Sequence, residues 1–259
     1  MKFLSLNIFA AVGYVAMVVV NFLANALPIN DRTTGAVSDG YPNLFAPAGI
    51  TFSIWGVIYL QLAGYVVYQF VGKDEKIGGL LKQINPFFIA TSLANIFWVF
   101  AWHYDYIGVS ALLMTGLLIL LIRISDILRN QRFNSTQKLF IRTPFSLYFG
   151  WITVAAIANI TVFLVSIGWN GWGIADYVWT SIILVVGALI GVLRMLKDEN
   201  IAYGLVLLWA YLGILYKHLS PQGFGGEYPN IIATVILCLG FFAFFVGKLL
   251  LKKNMAKQG

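Results

Sequence analysis

The sequence predicts an all-α fold, a polytopic transmembrane helical bundle of about eight spans. Composition is the first ground. Of 259 residues, 60% are apolar and only 10% charged, with a mean hydropathy of +0.83, whereas a soluble domain carries about 25% charged residues. Run length is the second. Apolar stretches recur at the ~20 residues a helix needs to cross the bilayer, and the alternating pattern of a membrane barrel is missing. The third is the placement of lysine and arginine, which changes side from one connecting segment to the next.

Taken in order, the first span is expected at 5–27. Lys2, an apolar run and Ala24-Asn25-Ala26 have a signal-peptide look, but Phe3 to Ala26 is longer than an ordinary apolar core of about 7–15 residues. The segment is read as a span, with cleavage as the alternative. Further spans are expected at 50–71, 84–103, 107–128, 143–167, 174–195, 201–218 and 230–250. Tyr104-Asp105-Tyr106 makes a tight turn between the third and fourth, and Lys217 and His218 close the seventh early.

With the N-terminus inside, the inner segments hold Lys2; Lys73, Lys76 and Lys82; Arg123, Arg129, Arg132, Lys138 and Arg142; Arg194 and Lys197; and Lys248, Lys252, Lys253 and Lys257. Only Arg32 and Lys217 remain outside. Positive-inside bias therefore favours an even number of spans with both termini cytoplasmic, and the expected location is a bacterial inner (plasma) membrane. The net charge of +7 is spent on topology, so no nucleic-acid partner is expected. The basic tail from Lys248 could meet anionic membrane lipid.

Chemistry-bearing motifs are few. The lone Cys238 can make neither an internal disulfide nor a Cys-rich metal site. No Ser–His–Asp set, HExxH or phosphate loop occurs, so no catalytic and no metal residue is assigned. His103 and Asp105 beside an outer turn are the only candidates for polar chemistry. What stands out is aromatic. Tyr41 to Tyr59 is a loop stiffened by Pro42 and Pro47 that runs into a helix bearing Trp55 and Tyr59 on one face. By itself the segment is either a lid over a pocket or an interfacial anchor. Asn95 with Trp98 and Trp102, and Trp151 with Ala155 and Asn159, form two intramembrane stripes at helical spacing. Each is either a helix-packing seam or the wall of a site.

These three patches together resemble the tryptophan-rich sensory protein/translocator family (TspO/MBR, peripheral-type benzodiazepine receptor-like). Pro42, Pro47, Trp55 and Tyr59 match its first loop and second helix without a gap, and Gly64 and Tyr65 continue the match. Asn95 and Trp98 keep the spacing of its third helix; Tyr148, Trp151, Ala155 and Asn159 keep that of its fifth. Leu147 stands in place of a family proline, Ala46 replaces the first proline of the loop's pair, and the loop's usual tryptophan is missing near Leu44 and Phe45. The similarity covers about residues 5–167 and divides the chain into a five-helix domain, 1–170, and additional helices with a basic tail, 171–259.

The resemblance implies a non-enzymatic receptor or carrier for a hydrophobic planar small molecule, of which a tetrapyrrole is the leading type, with no cofactor required. It implies a pocket lined by Trp55, Tyr59, Asn95, Trp98, Trp102, Trp151, Ala155 and Asn159. Loop 28–49, with Pro42, Phe45 and Pro47, would be its lid. A homodimer is the assembly it implies. Two rivals remain at this stage: a transporter of small hydrophobic molecules, and an enzyme acting on a membrane-embedded pigment or lipid.

Overall fold

The computed structural model describes residues 2–72 and 75–258; Lys73, counted above among the inner cations, lies outside them. Among the described residues there are eight helices long and apolar enough to cross a membrane and no strand. They are α1 (Lys2–Ala26), α2 (Ile54–Val71), α3 (Glu75–His103), α4 (Ile107–Arg129), α5 (Thr143–Ser166), α6 (Asp176–Asp198), α7 (Ile201–Leu219) and α8 (Pro229–Gln258). Large apolar side chains such as Leu60, Phe97, Leu112, Leu193, Leu237 and Phe244 remain exposed. A water-soluble protein would not tolerate them in such number; facing acyl chains they are at home. The protein is an integral membrane protein.

Helices begin and end close to the expected bounds, except that α8 runs on to Gln258 rather than 250 and that α3 and α5 are entered differently. Helix α3 starts at Glu75 rather than 84 and carries Pro86 in its interior. The extra turns contain Lys76 and Lys82, so this part of the helix extends past the apolar layer rather than into it. Helix α5 is entered through a short helix, Ser135–Gln137, and a π-helical turn, Lys138–Arg142. Asn134 caps that entrance: its side chain accepts from the Gln137 amide while the Gln137 side chain accepts from the Asn134 amide.

Packing gives two parts. Helices α1, α2, α5, α4 and α3 touch in that cyclic order and close a ring. Helix α7 packs on the outside of α5, and α8 bridges α7 and α6. Gly150 on α5 makes the α5–α7 seam close; a Cβ there would lie 2.9 Å from Val206 and 3.0 Å from the Tyr203 carbonyl.

Buried polar side chains set the register of the ring. Asn85 donates to Asn7 at 2.9 Å and to Gln69 at 2.8 Å and accepts from the Tyr65 hydroxyl at 2.6 Å. One amide thereby ties α3 to α1 and α2. Higher up, Asn21 donates to Asn95 at 2.6 Å, and Asn95 donates to the Tyr148 hydroxyl at 3.3 Å. Such bonds supply direction where hydrophobic burial supplies little, because acyl chains are as apolar as leucine.

The two parts are joined at the basic end by ions. Asp198, only 3% exposed, accepts from Arg194 Nε at 2.7 Å and from Ser125 at 2.7 Å, and Arg194 also reaches Asp126 at 2.8 Å. Arg142 donates to the Asp198 carbonyl. Removing one partner from a buried pair leaves an uncompensated charge, which typically destabilises by about 3–5 kcal/mol. Arg194→Gln is therefore expected to lower the unfolding free energy by roughly 3 kcal/mol. Denaturant titration in detergent checks this; an unchanged midpoint would show that the network does not join the parts.

Candidate functional site

Inside the ring, at the end opposite the basic cluster, lies a small aromatic cavity. Trp55 enters from α2, with Phe52 just before it; Trp98 and Trp102 come from α3 and Met114 from α4. Helix α5 presents Trp151, Val154, Ala155, Ala158, Asn159 and Val162, positions that recur every three or four residues and so share one face. Thr34, Ser38, Ala46 and Pro47 roof it. Rings interlock in the wall: Trp55 stacks on Tyr59 at 5.3 Å and meets Trp151 edge-on at 6.2 Å, and Trp98 stacks on Trp102 at 5.9 Å. The wall is nearly all apolar, yet the indole N–H groups of Trp98 and Trp151 are buried and find no partner among the described residues. Asn159 accepts from Ser110 at 2.9 Å, which fixes its amide.

The roof is a built structure. Thr33 caps a short helix, Thr34–Asp39, by accepting from the Ala36 amide. Asn43 accepts from the amides of Phe45 and Ala46 and so folds the segment after Pro42 into a tight turn. The roof is tied down on two sides. On the α3–α4 side, Asn30 and Arg32 both donate to the His103 carbonyl, at 2.9 and 3.1 Å, and Trp102 Nε1 donates to the Thr34 carbonyl at 3.1 Å. Arg32 pairs with Asp105, which also accepts from the Tyr41 hydroxyl at 3.0 Å.

On the other side, helix α7 supplies four ties. His218 Nε2 donates to the Leu44 carbonyl at 2.9 Å, and Trp209 Nε1 to the Thr51 carbonyl at 2.9 Å. The Gly213 carbonyl accepts from the Ala48 amide at 3.1 Å, and Lys217 faces Asp39 at 3.6 Å. Gly213 is required by this approach, because a Cβ there would stand 2.0 Å from Thr51 Oγ1.

Of the residues expected to line a pocket, Trp55, Trp98, Trp102, Trp151, Ala155 and Asn159 come together, and Pro47 meets them from the lid. The others sit elsewhere. Asn95 lies below the cavity, held between Asn21 and Tyr148. Tyr59 supports Trp55 from behind and faces a groove outside the cavity. Phe45 is buried within the lid and Pro42 is exposed on it. Val154, Ala158 and Val162 were legible as the continuation of the Trp151 stripe; Met114 and Phe52 carry no signal of their own. His103 and Asp105 hold the roof: His103 Nδ1 lies 2.7 Å from the Val99 carbonyl, and its Nε2 lies 3.5 Å from Thr34 Oγ1. Among the described residues, no group of three or more His, Cys, Asp or Glu could gather a metal ion.

A family model described as TSPO-like protein matches residues 7–247. The chain belongs to the TSPO-like protein family. The match extends through α6 and α7 into α8, beyond the five helices on which the sequence resemblance rests. No curated protein and no solved structure matches this TSPO-like chain.

Two outcomes follow for the lid. The Arg32 hydrogen bond and charge hold the Asp105 carboxyl below its ordinary 3.8, with Tyr41 helping. A depressed carboxyl stabilises the fold above its unfolded value and loses that contribution as pH falls through the folded one. Amide protection of residues 33–41 is therefore expected to hold steady from about pH 8 to 5 and to drop several-fold in Asp105→Asn; equal protection in the variant would show that the pair does not restrain the lid. Gly213→Ala is expected to destabilise by about 1–3 kcal/mol and to release residues 44–53 preferentially, read by hydrogen exchange.

Proposed function

We propose that this TSPO-like protein is a non-enzymatic membrane receptor or carrier that takes a flat, hydrophobic ligand with hydrogen-bond acceptors at its edge, a tetrapyrrole being the leading class. The observation that carries this reading is the aromatic cavity with two orphaned indole donors. A buried unpaired donor typically costs about 1–3 kcal/mol. An acceptor on a bound ligand would recover that energy, and the ring faces around it favour a planar π-system.

The closed cavity is only about 50 Å3, far below the ~300–1,000 Å3 of typical ligand sites. Beside it, between α1 and α2, runs a groove of about 760 Å3 that shares Thr34, Phe52 and Trp55 with the cavity. Those three residues are the partition between the two spaces. Ligand uptake thus requires Trp55 or the lid to move so that groove and cavity merge. The same continuity favours a second reading, passage of the ligand through the bundle, which flux into proteoliposomes separates from binding alone. The proposed setting is a bacterial inner membrane with both termini cytoplasmic.

Titration with protoporphyrin is expected to quench tryptophan fluorescence saturably. Trp98→Phe and Trp151→Phe keep the ring surface but lose the donor, so each is expected to weaken binding about 3- to 10-fold, near the ~1 kcal/mol of a hydrogen bond. Trp55→Ala, which removes one of the three residues of the partition, is expected to change the binding rate as well as the affinity. Unaltered affinity in all three variants would place the ligand outside this cavity.

A further inference from the structure

The basic end of the bundle carries a second concavity. It lies where the π-helical entrance to α5, the start of α7 and the last turns of α8 meet, and it encloses about 470 Å3. Its rim holds four cations from two separate elements, Lys138 and Arg142 at one edge and Lys252 and Lys253 at the other. The one carboxylate in its lining, Glu199, is already paired with Lys252. Thr143, Ser146 and Asn200 add polar groups to the lining, and Ile201, Leu205, Leu249 and Leu250 add aliphatic ones.

Topology alone does not account for this grouping. Positive-inside bias asks only that cations lie on one side, and Arg132 and Lys197 satisfy it without lining the groove. Here cations and an aliphatic slot line one groove at the end of three spanning helices. The complement is an anionic head on an acyl chain. A soluble anion would gain nothing from the slot, and a neutral lipid nothing from the surplus charge. We propose that this groove is a binding site for one anionic phospholipid, its phosphate among Lys138, Arg142 and Lys253 and an acyl chain along Leu205 and Leu249. The inference is independent of the ligand proposed for the aromatic cavity.

The test is native mass spectrometry of the full chain released from bilayers of equal phosphatidylglycerol and phosphatidylcholine. One retained phosphatidylglycerol in preference to phosphatidylcholine is expected. Lys138→Gln with Lys253→Gln removes two charge-assisted contacts to the lipid phosphate and is expected to reduce the preference at least tenfold. The matched pair Arg132→Gln with Lys197→Gln removes as much charge from the same end and is expected to leave it nearly unchanged. Equal loss in both pairs would reduce the effect to general surface charge, and no loss in either would remove the site. Displacement of the lipid by millimolar inorganic phosphate would overturn the lipid assignment in favour of a small-anion site. The groove substitutions avoid the Arg194–Asp198 network, and an unshifted unfolding midpoint confirms that the fold is kept.

Discussion

The candidate site depends on one constraint: the lid must be held against the bundle from two sides at once. The α3–α4 hairpin grips its first half through Arg32, the His103 carbonyl and Asp105. Helix α7 grips its second half through His218, Gly213 and Trp209. The connection from α1 to α2 is long, and backbone freedom opposes fixing it. Between the grips the roof settles onto Trp55, Trp98 and Trp151, and the cavity shrinks to a size that excludes a macrocycle.

This gives the three C-terminal helices a physical role. Helix α7 meets α5 through a glycine-thinned seam, and at its far end the capping Asn200 accepts from the Tyr203 amide and donates to Ser146 of α5 at 2.8 Å. It therefore runs from that tie at the basic end to the lid contacts of Trp209, Gly213 and His218 at the other. The family match extends over these helices into α8.

Much of this was legible in the sequence. Apolar runs and basic spacing gave all eight spans, and the Trp151–Asn159 stripe follows directly from helical periodicity. The residues that escaped did so for identifiable reasons. Asn7, Asn21 and Asn85 organise the ring, but an asparagine in an apolar run does not announce which helix it will meet. Asn95 has the spacing of a wall residue, yet Asn21 captures it one layer below the cavity. The α7 grip was invisible, because Ala48–Gly213 is a backbone contact across 165 positions and carries no side-chain motif. Gly213 reads as one glycine among 25, and only the approach of Thr51 shows why it is there.

The central claim is that the tethered lid controls access to the aromatic cavity. A direct measurement replaces the Lys217–Asp39 pair by two cysteines, Lys217→Cys with Asp39→Cys, and bridges them with a short cleavable bis-thiol reagent. Protoporphyrin uptake, followed by tryptophan quenching, is expected to fall at least tenfold in rate while the bridge is intact and to return when it is cleaved. Equal uptake in the bridged and cleaved forms would contradict the account, because the ligand would then reach its site without the lid leaving α7.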